Sequence, residues 1–184
     1  MTVVKHDGSA VDETIPVDMV WELNVTQEDV QKWVQRKLPR ARRVGTSLYY
    51  HPMLGHEFDW TGPRGKLIKV NVLVDLVSGR GFASTPWKPE NFTVPKSELQ
   101  SENAHSITAP EPRIGLAAAR KTARSVARFL VTRKRRFGGV GALSDDSREV
   151  LFGKPNWWVT GEHQGRDLEL ILDGVSGKHY VFSG

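Results

Sequence analysis

One pattern occurs twice in this sequence, and the duplication constrains the fold more than any other feature. Residues 72–82 are VLVDLVSGRGF, and residues 170–180 are LILDGVSGKHY. An Asp at the start of a turn accepts hydrogen bonds from backbone N–H groups two or three residues later, and a Gly supplies the positive φ that such turns need. The pattern therefore predicts two equivalent strand-to-turn junctions. The predicted turn residues are Asp75, Gly79, Asp173 and Gly177.

The repeated aspartates have an alternative interpretation as a carboxylate site that occurs twice, for a metal ion or as a general base. A repeated site of that kind should also repeat its partner groups. No second acid or His stands at matched positions near Asp75 and Asp173. This favours the turn role for both side chains.

Helical patterns precede both copies at matched distances. Thr26 offers an N-cap, and apolar residues at helical spacing predict a helix that ends near Leu38, just before Pro39. A second helix is predicted from Ile114 to about Arg135. The helix ends lie 37 and 38 residues before Asp75 and Asp173, respectively. Matched helices and turns indicate an internal duplication.

The segments after each helix have the composition of strands with turns between them. The stretch between the two halves holds five of the ten prolines and predicts a linker or a strap across the surface. We therefore expect an α+β protein of two repeats, each a helix packed on its own antiparallel sheet of three or four strands. The predicted division is 1–83 for the first repeat with an N-terminal strand, 84–112 for the Pro-rich linker, and 113–184 for the second repeat.

The helix, the antiparallel strands and the final Asp-x-Val-Ser-Gly-basic turn resemble the PepSY domain, a cystatin-like α/β unit. The resemblance covers residues 26–84 and 114–183, and the segment NWWVTGEHQGRDLELILDGVSGKHY carries it best. It implies a tandem PepSY-like protein. PepSY domains are thought to act as inhibitory or regulatory binding modules, so the resemblance implies a non-catalytic role with a protein partner.

The main electrostatic feature is a run of nine basic residues without an acidic one between Arg113 and Arg136, in a chain of net charge +5. It permits nucleic-acid binding through the basic helix 113–136, which is the alternative function. Contact with a membrane or an acidic protein, and a simply solvated helix face, are further interpretations. The candidate binding residues in this run are Arg120, Arg124, Arg128, Arg133, Lys134, Arg135 and Arg136.

Aromatic and histidine clusters give two more candidate sites. Adjacent strand residues face opposite ways, so one of Trp157 and Trp158 is expected in the core and the other at a binding surface. The cluster His51, His56, Glu57 and Asp59 suggests a metal. The two histidines match no zinc spacing and would point to opposite faces of a strand, so we predict no metal site there.

Composition limits the remaining classes. The chain has no cysteine, which excludes disulfides and thiolate metal sites. No phosphate-binding loop or nucleophile elbow occurs, so we predict no enzyme activity and no cofactor. The N-terminal residues show no signal peptide, and no long apolar run predicts a transmembrane segment. We expect a soluble cytoplasmic protein; an exported precursor that has lost its leader is the alternative.

Overall fold

The computed structural model of the protein describes residues 19–62, 65–94, 109–134 and 142–181. These residues form two α-helices, a short 3-10 helix at Pro89–Asn91 and eight strands in one sheet. The helices are α1 (Gln27–Lys37) and α2 (Leu116–Lys134). The strands are β1 (Val20–Trp21), β2 (Ala41–Thr61), β3 (Leu67–Asp75), β4 (Gly81–Ala83), β5 (Phe92–Thr93), β6 (Ala142–His163), β7 (Arg166–Asp173) and β8 (His179–Val181).

Helix α1 forms where the sequence predicts it. The Thr26 hydroxyl accepts a hydrogen bond from the backbone N–H of Asp29, and the Asp29 carboxylate accepts one from the backbone N–H of Thr26. This reciprocal cap satisfies backbone donors that the first helical turn leaves without partners. The helix ends at Lys37, with Leu38 as its C-cap, and Pro39 cannot continue it.

The two longest strands, β2 and β6, pair with each other in the centre of the sheet. Their antiparallel register runs from Ala41 opposite His163 to Thr61 opposite Ala142, with irregularities near both ends. Strand β3 pairs with the second half of β2, and β7 pairs with the second half of β6. Strands β4 and β8 extend the sheet beyond β3 and β7. Strand β1 pairs in parallel with β6 at Gly153 and antiparallel with β5.

Each central strand contains a proline at the point where its second neighbour begins. The carbonyl of Pro52 accepts a hydrogen bond from the N–H of Leu76, and the carbonyl of Pro155 accepts one from the N–H of Gly174. The N–H and C=O of one strand residue point to the same edge, so the missing N–H of each proline faces away from the β2–β6 ladder. Proline therefore costs no hydrogen bond between the two central strands.

The core of each helix packs mainly on strands from the opposite half of the chain, although β2 also contacts α1 through Ala41 and Leu48. The buried side of α2, formed by Ala119, Ala123, Ala127 and Val131, lies against β2 and β3. Helix α1 instead buries Val30 and Val34 against apolar residues of β6 and β7. Helix α2 also lies close to β4. A Cβ added at Gly81 of β4 would lie 2.9 Å from side-chain atoms of Thr122 and Val126.

The predicted fold class is therefore wrong. The chain does not form two repeats with one helix on one small sheet each, because β2 and β6 join both halves into a single large sheet. Exchange of the helices has a physical basis: a unit of about 80 residues buries only a modest fraction of its surface, and the exchange adds apolar contacts between the halves. Pairing β2 with β6 also protects strand edges that separate repeats would expose.

Side-chain alternation separates the two faces of this sheet. Residues of β2 that contact α2, such as Leu54, share a face with Leu48, which packs in the cluster under α1. The described residues cover the opposite face only in part. There Trp87 and Phe92, from the segment after β4, pack on Met53 and Phe152. This segment belongs to the predicted linker, and the division into 1–83, 84–112 and 113–184 stays a prediction.

Candidate functional site

A cleft with a volume of about 510 Å³ lies on the sheet face opposite the helices. It spans the two central strands and is bordered on both sides by the edge strands β4 and β8. We call it the central cleft. Its lining combines charged, polar and apolar side chains from both halves of the chain: Tyr49, His51, Met53, Asp75, Ser78, Arg80, Phe82, Lys154, Asn156, Ile171 and Tyr180.

On one side of the cleft, Asp75 connects a turn to a cleft residue. One of its carboxylate oxygens accepts hydrogen bonds from the backbone N–H groups of Val77 (2.8 Å) and Ser78 (3.2 Å), and Gly79 has a φ of +73°. These are the contacts expected of an Asp at the start of a turn. The same oxygen lies 2.8 Å from Nε2 of His51. Asp75 thus orients the His51 imidazole as well as the turn.

Asp173 has the equivalent position on the other side. It accepts hydrogen bonds from the backbone N–H groups of Val175 (2.9 Å) and Ser176 (3.1 Å), and Gly177 has a φ of +68°. Its second carboxylate oxygen accepts a hydrogen bond from Nζ of Lys154 at 2.5 Å. The duplicated motif therefore places a carboxylate next to a basic residue of the cleft in both halves: Asp75 lines the cleft itself, whereas Asp173 lies beneath Lys154.

The basic partners of the two aspartates are neighbours, because His51 lies directly opposite Lys154 in the β2–β6 register. Burial raises the pKa of Asp75, but hydrogen bonds from Ser78, His51 and the turn backbone outweigh burial and hold this pKa below its ordinary value. The pKa of Asp173 is also lowered, since the hydrogen bond and charge of Lys154 and the turn backbone outweigh burial. Both carboxylates are thus ionised at neutral pH.

Aromatic side chains complete the cleft. Tyr49 is buried at its floor, and its hydroxyl accepts a hydrogen bond from the side-chain amide of Asn156 at 3.4 Å. Burial raises the pKa of the Tyr49 hydroxyl, so it stays protonated and able to donate a hydrogen bond. At the two borders, Phe82 is 44 % exposed and Tyr180 is 54 % exposed. Two large, accessible rings thus border the cleft on opposite sides.

Sequence reasoning found Asp75 and Asp173 but missed the side chains that they bind. In the sequence, His51 belongs to the histidine cluster, and no pattern singles out Lys154. A signal was nevertheless present: His51-Pro52 and Lys154-Pro155 are basic-proline pairs, one in each half. They lie 24 and 19 residues before their aspartates, because the β2–β3 hairpin has both a longer loop and one more residue pair than the β6–β7 hairpin.

The structure does not bring the histidine cluster together. His56 points to the helix-covered face and lies 3.6 Å from Glu149. Burial lowers the pKa of His56, with further lowering by Arg124 and Arg120 against the opposing effect of Glu149. Glu57 and Asp59 point to the other face, where Lys69 and Arg148 are the basic neighbours of Glu57. In the described part of the chain, no group of three His, Cys, Asp or Glu side chains has the arrangement of a metal site.

The basic residues of α2 divide into different environments. Arg120 donates two hydrogen bonds, at 2.9 and 2.8 Å, to the Glu149 carboxylate, and Arg124 is half-buried. Arg128 and Arg133 are exposed on the solvent side of the helix. Lys134 ends α2, and its side chain is not described; Arg135 and Arg136 lie outside the described residues. The predicted stripe is thus not one continuous free surface.

The adjacent tryptophans have separate positions. Trp157 is buried in the core under α1, and its indole N–H donates a hydrogen bond to the carbonyl of Val25 at 2.7 Å. Trp158 is half-buried on the opposite sheet face, where its indole N–H donates to Glu169 at 2.9 Å. Trp157 therefore has a core role, whereas Trp158 lies on the same face as the central cleft.

The described residues define an α+β protein with one sheet, which carries the helices on one face and the central cleft on the other. Within the described ranges, neither helix is both long and apolar enough to cross a membrane. No protein-family model, curated protein or solved structure matches the chain.

Proposed function

We propose that this protein is a non-catalytic binding module and that a protein partner docks in the central cleft. The observation that carries the proposal is the pair of exposed rings, Phe82 and Tyr180, on either side of a cleft in which His51 and Lys154 are held by carboxylate partners. Aromatic side chains dominate the binding energy of many interfaces. The PepSY resemblance implies the same kind of role and remains a prediction.

The hydrogen bonds inside the cleft support a non-catalytic role. Ser78 donates its hydroxyl hydrogen to Asp75 at 2.6 Å, and Asp75 binds His51. In a Ser–His–Asp arrangement the His must lie between the other two groups to take the serine proton. Here the Asp lies between them, so His51 is not placed to activate Ser78.

The size of the cleft indicates what kind of segment it accepts. A volume of about 510 Å³ suits a few side chains rather than a folded domain. Met53 and Ile171 supply apolar lining, while Lys154 and Asn156 supply polar groups. We infer that an extended segment of the partner crosses the cleft and places apolar or aromatic side chains against the rings of Phe82 and Tyr180.

A displayed peptide library selected against the full chain tests this function. We expect peptides with apolar or aromatic residues, and we expect Phe82→Ala and Tyr180→Ala each to weaken their binding about tenfold or more, as measured by calorimetry. Leu67→Ala is the matched control, because Leu67 is 58 % exposed but does not line the cleft. Selected peptides that bind both cleft variants as tightly as the unmodified protein would contradict the proposal.

A further inference from the structure

The solvent side of α2 forms a second surface that is distinct from the central cleft. Helix α2 spans Leu116–Lys134 and contains no acidic residue. Its described exposed side chains include three cations and one large ring: Lys121, Arg128, Phe129 and Arg133. We call these four residues the α2 patch. They lie on the opposite sheet face from the cleft, so the two surfaces are accessible at the same time.

We propose that the α2 patch binds single-stranded nucleic acid. Lys121 and Arg128 are seven residues apart, about two helical turns, and both face solvent. A row of cations without an intervening acid attracts a phosphate backbone, and binding releases the counterions condensed on it. Arg120 does not belong to this row, because it is held by Glu149.

The ring of Phe129 favours a single strand over a duplex. Phe129 is 60 % exposed, although the Arg133 guanidinium lies 5.6 Å from the ring centroid. An exposed ring beside a guanidinium offers a platform for an unpaired base, and such base–aromatic stacking is a common element of single-strand recognition. In a duplex the base faces are already stacked on one another, so a surface ring has no base to receive.

A membrane surface fits the patch less well. Helices that bind in the membrane interface bury an apolar side among the lipids. In α2 that side, which includes Ala123 and Val131, is already buried against the sheet. Phe129 is the exposed large apolar residue that remains among the described residues of α2.

Fluorescence anisotropy with the full chain tests the proposal. The probes are labelled oligothymidylate and oligouridylate, a labelled GC-rich duplex of equal length, and phosphatidylserine vesicles. We expect the single strands to bind most tightly. The logarithm of the association constant should fall with the logarithm of salt concentration with a slope of about −2, as three phosphate contacts predict.

Matched variants separate the patch from the overall charge. Phe129→Ala should weaken single-strand binding about tenfold, and Arg128→Glu should weaken it more than Arg166→Glu. Arg166 is the control because it is exposed at the start of β7 and does not belong to the α2 patch. The two charge reversals change the net charge by the same amount. Tyr180→Ala, which alters the cleft, should leave oligonucleotide binding unchanged. This separates the proposal from the protein-binding function of the cleft.

Three outcomes would overturn the proposal. The first is equal loss of binding for Arg128→Glu and Arg166→Glu, which would show attraction to net charge alone. The second is unchanged affinity for Phe129→Ala. The third is binding to the duplex or the vesicles that equals or exceeds binding to the single strands. Circular dichroism of each variant confirms that it is folded, as expected for substitutions at exposed positions.

Discussion

Asp173 and Asp75 have the same role in their turns but different degrees of burial. The side chain of Asp173 is 8 % exposed and that of Asp75 is 22 % exposed. The partner of Asp173 is an ammonium group, whereas the partner of Asp75 is an imidazole. Breaking an ion pair costs most where it leaves a buried charge without compensation. The two copies of the motif therefore differ in how much they stabilise the fold.

We predict that Asp173→Asn lowers the free energy of unfolding by about 3 kcal/mol, because Lys154 loses its counter-charge. Asp75→Asn should cost less, about 1 kcal/mol. Urea denaturation measures both values. Asp167→Asn, at an exposed position of β7, is the control and should change stability by less than about 0.5 kcal/mol. Equal costs for Asp173→Asn and Asp75→Asn would contradict this view of the two turns.

The lowered pKa values of Asp75 and Asp173 predict a loss of stability in acid. In the unfolded chain an Asp takes up a proton near pH 3.9, roughly its reference pKa, whereas the folded chain does so at lower pH. The stabilisation is therefore complete above about pH 5 and decreases as the pH falls toward the folded pKa values. Urea midpoints measured between neutral and acidic pH should show a shallower acid dependence for the Asp75→Asn, Asp173→Asn double variant. The same dependence in both proteins would exclude this contribution.

The turns at Asp75 and Asp173 could be predicted from the sequence, because a turn depends on residues that are close in the chain. The hydrogen bonds from Val77 and Val175 reach back only two residues. The bonds to His51 and Lys154 were missed because they depend on the register of neighbouring strands. The pairing is equivalent in the two halves, but the β2–β3 hairpin is longer than the β6–β7 hairpin, so equivalent partners have different spacings in the sequence.

Among the elements, the helices were predictable and the strand lengths were not. Both helices have an apolar stripe, and α1 also has a recognisable cap. Proline is unfavourable inside a sheet, so Pro52 argues against one long strand at β2. The strand continues through that residue, since the edge that would need its N–H lies away from β6. The direction of the missing N–H is known only once β6 is identified as the partner of β2.

Close packing of α2 on β3 and β4 leads to a prediction for this helix. Ala123 is fully buried, and Ala118 is exposed on the same helix. Ala123→Leu should destabilise the protein by about 3 kcal/mol, because the added atoms push α2 away from the sheet. Ala118→Leu adds the same atoms toward solvent and should change stability by less than about 0.5 kcal/mol. Thermal and urea denaturation compare the two variants, and similar losses for both would contradict the packing of α2.

At the scale of the whole molecule, the duplication predicted the order of elements but not their assembly. The order helix, long strand, strand and short strand occurs in both halves. An apolar stripe specifies that a helix is covered, but it does not specify by which strands. Here α1 covers β6 and β7, and α2 covers β2 and β3. The exchange depends on contacts between residues far apart in the chain, which local patterns do not encode.

This exchange predicts that neither half folds alone. A fragment of residues 1–100 keeps β2 and β3 but loses α2, and a fragment of residues 101–184 keeps β6 and β7 but loses α1. Each fragment also leaves one long central strand without its main partner. We expect both to lack cooperative unfolding by near-ultraviolet circular dichroism, and we expect an equimolar mixture to regain it.

A protease site placed between residues 100 and 101 provides the control for this experiment. The chain is cut there after folding, so the cut protein has the same two pieces with both helices already in place. It should keep the cooperative transition of the intact chain, because the β2–β6 ladder and both exchanged helices hold the pieces together. A separate cooperative transition in either isolated fragment would show instead that the predicted repeats are independent domains, and that the shared sheet joins units that are already stable.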